Sequence, residues 1–348
     1  MPSRHLRAAP LRFNFHLERS SREAATPSQL TSDLLEKPAA YSVRVIATSR
    51  LEEARAGYER YLAGEKDGLH ELRVALRRLR SWLRAFEPEV QDTLRKKTRR
   101  RLSAVAKATN GARDVEVAAQ WIASQHGVSR RGVAGRDHVL ARLAAERRGT
   151  SRTIRVGLAR DLPGLLDDLA RQTEPHARHE QGGAEMTSAY HAALRTHATR
   201  LVQALARVKS REDVAAAHRA RIAAKRLRYL LECGDENPRV AAVATGVEAL
   251  QDTLGIVHDT RAIAERLVCE IADRAAADAR QGARDHLGLT CPATDDGASM
   301  DSIRPGLIEL AERARESERD AFANVRRRWG PRGAKSIVLA LATIAKST

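Results

Sequence analysis

Between His70 and Arg84 the chain reads His-Glu-Leu-Arg-Val-Ala-Leu-Arg-Arg-Leu-Arg-Ser-Trp-Leu-Arg, and His70, Arg73, Arg77, Arg80 and Arg84 recur every three or four residues. On a helix, at about 100° per residue, these side chains fall within an arc of about 80° and form a line about 21 Å long. Guanidinium groups present planar forks of donors that match phosphate oxygens, and imidazole donates to the same atoms. The chemistry open to this row is anion binding, and its length suits a linear polyanion better than a single phosphate. Leu69, Leu72, Ala75, Leu76, Leu79, Leu83 and Phe86 occupy an adjacent arc of about 120°, wide enough for a core face.

Each like-charged pair along the row, Arg73/Arg77, Arg77/Arg80 and Arg80/Arg84, costs roughly 0.2–0.5 kcal/mol in an isolated helix. No acid stands within the row to offset this. A face meant only for solvent would mix signs, as Glu52, Glu53, Arg55, Glu59 and Arg60 do one helix earlier.

The segment returns at an offset of 148 residues as His218-Arg-Ala-Arg-Ile-Ala-Ala-Lys-Arg-Leu-Arg-Tyr-Leu-Leu231. His70, Arg73, Ala75, Arg78, Leu79, Arg80 and Leu83 match His218, Arg221, Ala223, Arg226, Leu227, Arg228 and Leu231, while Arg77 is replaced by Lys225 and Val74 by Ile222. A weaker echo aligns Gly111-Ala-Arg-Asp-Val115 with Ile256-Val-His-Asp-Thr260. Two copies of one helical unit predict a duplicated fold with a pseudo-two-fold relation.

The elements that must carry these rows are all helical. Helical periodicity starts near Tyr41 and runs almost to the end, with no sustained alternation that would predict strands. Helices are expected over 41–63, 69–86, 92–109, 110–123, 131–160, 187–208, 214–233, 240–254, 256–280 and 303–328, with Pro88 and Asn110-Gly111 as stops. Residues 171–185, polar and containing Pro175 and Gly182-Gly183, read as a linker between halves at 38–170 and 186–330. Residues 1–37 lack an apolar run and read as a basic disordered tail, and 331–348 as a C-terminal tail.

Composition narrows the partners. Of 348 residues only 3% are aromatic, 43% are hydrophobic and 30% charged, a mixture that favours helices over sheets. The formal net charge of +17 attracts nucleic acid, anionic membrane or polyphosphate. Cys233, Cys269 and Cys291 are far apart and without metal-ligand spacing, which points to a reducing, cytoplasmic compartment. No run of 18 uncharged apolar residues is present, so no membrane span is expected.

Rival chemistries are weaker. His258-Asp259 resembles part of a metal-dependent phosphohydrolase motif, but its counterpart in the first half is Arg113, which does not bind a cation. His176 and His179 have helical spacing for two metal ligands, yet lie in the polar linker without paired carboxylates. The Arg95-Lys96-Lys97 and Arg99-Arg100-Arg101 runs could contact nucleic-acid phosphates, but they point around most of a helix, and stacking aromatics are nearly absent. No Walker loop, HExxH or Ser/His/Asp arrangement occurs. The expectation is a non-catalytic binding protein with no metal and no cofactor.

At these residues the sequence resembles the CHAD domain, the conserved histidine α-helical domain. The resemblance rests on the H-x-x-R-x-x-x-R-R-L-R pattern at His70 to Arg80 and the H-x-x-R-x-x-x-K-R-L-R pattern at His218 to Arg228. Arg113-Asp114 and Leu250-Gln-Asp-Thr-Leu-Gly255 support it, and it covers about 38–329. It implies two antiparallel helical bundles, each a four-helix unit, around a basic central channel that binds inorganic polyphosphate. Carried over by position, the candidates are His70, Arg73, Arg77, Arg78, Arg80 and Arg84, with His218, Arg221, Lys225, Arg226 and Arg228, joined by Arg101. The implied partner is inorganic polyphosphate, in granules or free, with nucleic acid as second choice.

Overall fold

The computed structural model describes residues 30–130, 132–234, 237–289 and 300–330, with further positions as far as 341. The expected tail over 1–29, Cys291 and most of the 288–298 loop lie outside the described residues. Among the described residues the chain is helical throughout, with one isolated bridge between Pro38 and Glu185 in place of any strand.

The helices in chain order are α1 (Ser32–Glu36), α2 (Ala39–Leu62), α3 (Gly68–Ala85), α4 (Glu87–Val90), α5 (Lys96–Ala108), α6 (Asn110–Ala123), α7 (Gly132–Thr173), α8 (Met186–Ala206), α9 (Val214–Leu231), α10 (Pro238–His286) and α11 (Met300–Trp329). In the first half α2 lies along the basic helix α3, and α5 and α6 lie along α7. In the second, α8 lies along the basic helix α9, and α10 lies along α11.

The core face read from the wheel is the one that is buried. Leu72, Leu76 and Leu79 are 0% exposed, and Ala75, Leu83 and Phe86 lie beside them. Each such leucine contributes roughly 1.5–3 kcal/mol by leaving water. Trp82, absent from that face by pattern, is also buried, because its indole Nε1 donates to the Val43 carbonyl at 2.9 Å. Gly57 allows α2 and α3 to approach closely, since a Cβ there would sit 2.8 Å from the Leu72 amide nitrogen. One apolar core joins both halves. A second, smaller one at the far ends of α6, α7, α10 and α11 is built on Trp121, Ile122, Leu143, Leu267, Leu307 and Leu310.

Several boundaries differ from the sequence reading. Helix α7 continues through Pro163 to Thr173, because the proline faces solvent while Leu158, Leu162, Leu165 and Leu166 hold both flanking turns in the core. The helices expected at 240–254 and 256–280 are one helix, α10. A glycine within a helix costs only about 1 kcal/mol, and Leu254 and Val257 anchor either side of Gly255. Helix α3 does end ahead of Pro88, at Ala85, and the proline then opens the separate short α4 in its first turn, where a missing amide hydrogen costs nothing.

Residues 30–37, assigned to a disordered tail, are ordered. Leu30 and Leu34 are buried, the Leu30 amide donates to the Cys233 carbonyl at 2.7 Å, and the Ser42 hydroxyl donates to the Leu34 carbonyl at 2.6 Å. In the expected C-terminal tail, Ile337 and Leu341 join the main core. The linker ends beside the start of the first half, where the Ala39 amide donates to the Ala184 carbonyl and the Met186 amide to the Lys37 carbonyl, both at 2.9 Å.

Helix α10 is, by length and composition, the one described helix able to cross a membrane. Its most apolar 18-residue stretch is 28% buried, and Val247, Leu250, Leu254 and Val257 are among the buried residues of the helix.

Candidate polyanion-binding site

The two basic helices, α3 and α9, touch each other. Each buries its leucines inward, Leu72, Leu76, Leu79 and Leu83 on α3 and Leu227, Leu230 and Leu231 on α9, and their basic rows meet alongside. Lys225 shows the result most clearly. Burial, then the charges of Arg221, Arg77 and Arg228, push its pKa down from 10.5 to about 7. Arg77 is lowered by burial and by Arg113, Arg228 and Arg221, with Tyr229 acting in the opposite sense. Cations from both halves are therefore held against one another, partly out of water, where their repulsion is stronger than at an open surface.

Arg73 is 4% exposed, and its Nε is buried without a hydrogen-bond partner. Burial first, then Arg77 and Arg113, lower its pKa to about 10. Its carbonyl accepts from Arg77 Nε at 3.0 Å, which fixes the Arg77 side chain along the row. His70 is lowered by burial and then by Arg113, Arg77 and Arg73, and His218 by burial, Arg221 and Lys225. Both imidazoles are thus harder to protonate than in a free peptide.

Beyond the meeting point lies a second basic cluster. Burial, Arg84, Arg80 and Arg200 lower Arg226 to about 10. Arg80 is lowered by burial, Arg77 and Arg84. His197, buried on α8, is lowered to about 4 by burial and then by Arg200, Arg226 and Arg84.

Three expected residues have other partners. Arg78 Nε donates to Glu232 at 3.1 Å; burial opposes its charge, but Glu232 and Glu53 outweigh this and its pKa is raised. Arg228 donates to Glu232 at 2.6 Å and to Gln251 at 2.9 Å, with Glu248 at 3.5 Å. Arg101 is bound to Asp168 at 2.5 Å, and Asp168 also accepts from Arg171. The row is also less free of acid than its own residues suggest, since Asp259 lies 3.8 Å from Arg221. Gly255 leaves room there, as a Cβ would come no nearer than 3.9 Å to Arg221 Nε. Burial raises the Asp259 pKa against the pull of Arg221 and His258.

The His218 and His258 rings are 5.2 Å apart, and among the described residues no group of three or more His, Cys, Asp or Glu is placed to hold a metal ion. His176 and His179 form an internal cap, in which the His176 amide donates to His179 Nδ1 at 3.1 Å.

The pattern of paired basic helices can be set beside known proteins. The family model described as CHAD domain matches residues 45–268, well over half of the chain. The chain belongs to the CHAD domain family. Its fold is similar to the crystal structure of the CHAD domain from the plant Ricinus communis, with 24% identity and a TM-score of 0.60 over 82% of this chain and 97% of that one. It is also similar to PptA from Streptomyces chartreusis, with 14% identity and a TM-score of 0.59 over 86% of this chain and 99% of that one. No curated protein matches it.

Within this CHAD domain, sequence reasoning missed Arg200 and His197 on α8, which stand near Arg226, and Tyr229 at the meeting point. A signal for the first two was present, because α8 contains no Asp or Glu at all.

Proposed function

We propose that this protein binds inorganic polyphosphate, without catalysis, in a basic channel between two pseudo-symmetric helical bundles. The observation that carries the reading is the set of cations contributed by both halves, Arg73, Arg77, Arg221 and Lys225, held close and partly buried, with Asp114 and Glu116 acting on Arg73 and Asp259 beside Arg221 as the nearby acids. Left without a ligand, this arrangement destabilises the fold. A polyanion running along the row relieves it, and Arg contributes bidentate contacts while Lys225 acts as a point charge.

Polyphosphate fits better than nucleic acid on two grounds. The family resemblance implies it, and the aromatic side chain nearest the cations, Tyr229, is 4% exposed and offers no face for a base to stack on. The reading carries a cytoplasmic location, free or at polyphosphate granules.

The test is titration of a labelled long-chain polyphosphate with the full chain and with a variant carrying Arg77→Glu and Lys225→Glu, followed by competition with DNA and RNA at equal charge. Tight binding by the wild type, loss of about 100-fold or more in the variant, and weak displacement by nucleic acid are expected. Stronger retention of DNA than of polyphosphate contradicts the reading, as does release of orthophosphate on incubation.

A further inference from the structure

The basic surface does not end with the two repeated helices, and it is unequal on its two sides. The buried positions of α2 and α8 recur in step, Ala39 with Met186, Val43 with Tyr190, Ile46 with Ala193, Ala47 with Leu194, Leu51 with Ala198 and Ala54 with Leu201. The same step pairs Arg50 with His197 and Glu53 with Arg200. At matching places, then, Arg78 has Glu232 and Glu53 as neighbours, whereas Arg226 has Arg84 and Arg200. Among the described residues no carboxylate is paired with Arg84, Arg195, Arg200 or Arg226.

Arg200 also lies on the exposed outer face of α8, an open and shallow surface that it shares with Arg195, Thr196, Thr199 and Gln203. These positions share one side of the helix. Thr199 donates its hydroxyl hydrogen to the Arg195 carbonyl at 2.9 Å. The Thr196 hydroxyl, the Gln203 amide and two guanidinium groups remain as donors for anionic oxygens.

We propose that the polyanion path is one-ended: it leaves the meeting point of α3 and α9 between Arg84 and Arg226 and continues over α8, where Arg195 and Arg200 hold further phosphates of the same chain. On the opposite side Glu232, Glu53 and Glu248 repel the polymer. This rests on the polyphosphate reading above, and it predicts a preference for chains long enough to reach from the centre to α8.

The experiment measures binding of long-chain polyphosphate and of tripolyphosphate to the full chain over a range of salt concentrations. It compares the wild type, an Arg195→Gln/Arg200→Gln variant and the Arg77→Glu/Lys225→Glu variant. Both α8 arginines are exposed, and an unchanged melting transition of the ligand-free variant checks the fold. The α8 variant is expected to lose about tenfold in affinity for the long chain and to flatten its salt dependence by roughly one to two in log–log slope. Tripolyphosphate affinity is expected to stay unchanged.

Unchanged long-chain affinity in the α8 variant, with binding lost in the central variant, overturns the one-ended path and leaves the function standing. An equal loss for both ligands in the α8 variant also overturns it, since α8 would then be acting on the centre. If the central variant binds both ligands like the wild type, the polyphosphate reading itself fails.

Discussion

Arg78 and Arg226 occupy the same place in the two copies of the repeat, yet their surroundings are opposite. Arg78 lies against Glu232, with Glu53 close by, and its pKa is raised. Arg226 faces Arg84, Arg80 and Arg200, and burial first, then these charges, bring its pKa down to about 10. Duplication of a motif therefore did not duplicate its electrostatics. Identical residues became an internal ion pair in one half and part of an uncompensated basic surface in the other, according to what α2 and α8 place beside them.

The largest effect expected from this difference concerns salt. If Arg226, Arg84 and Arg200 contact phosphates while Arg78 does not, the Arg226→Gln substitution weakens long-chain polyphosphate binding about tenfold and lowers its salt slope. Arg78→Gln leaves both within about twofold. Equal losses from the two substitutions, measured by anisotropy between about 50 and 200 mM salt, would erase the comparison.

A second contrast involves pH. Lys225, at about 7, titrates near neutrality, and its aligned partner Arg77 stays charged. A bound polyanion raises the Lys225 pKa, so binding takes up a proton and affinity falls as pH rises above about 7. Lys225→Arg should flatten the profile between about pH 7 and 9. In the ligand-free protein the sign is reversed for folding. The unfolded chain holds that proton up to 10.5, so stability rises with pH between about 7 and 10.5. Protonation of His70 and His218, which adds charge toward an anion, moves below the usual imidazole range of about 6.5 because burial and the neighbouring cations depress both.

A smaller effect belongs to the acidic side. Glu232→Gln removes the partner shared by Arg78 and Arg228. It should cost about 1–2 kcal/mol of stability in denaturant unfolding while raising polyphosphate affinity a few-fold. Lower affinity on loss of this acid would contradict its repelling role.

The parts of this arrangement that were legible in sequence are those set by local periodicity. The leucine face of α3, the basic row beside it and the second copy on α9 follow from spacing within one helix. The fates of Arg78, Arg228 and Arg101 depend on Glu232, Glu248 and Asp168, which are brought in by tertiary packing that no spacing encodes. Helix continuity through Pro163 and Gly255 was hidden for the same reason, because burial on either side overrode a local breaker. The acid-free composition of α8 was visible, but its meaning depended on knowing that Arg200 stands beside Arg226.

The central claim, that rows from both halves form one site, is tested most directly by binding stoichiometry in calorimetry with a variant altered in the first half alone, Arg73→Glu/Arg77→Glu. A shared site predicts that affinity collapses by about 100-fold with no tight population remaining. Half the binding capacity at wild-type affinity would mean that each basic helix works alone, and would contradict the account.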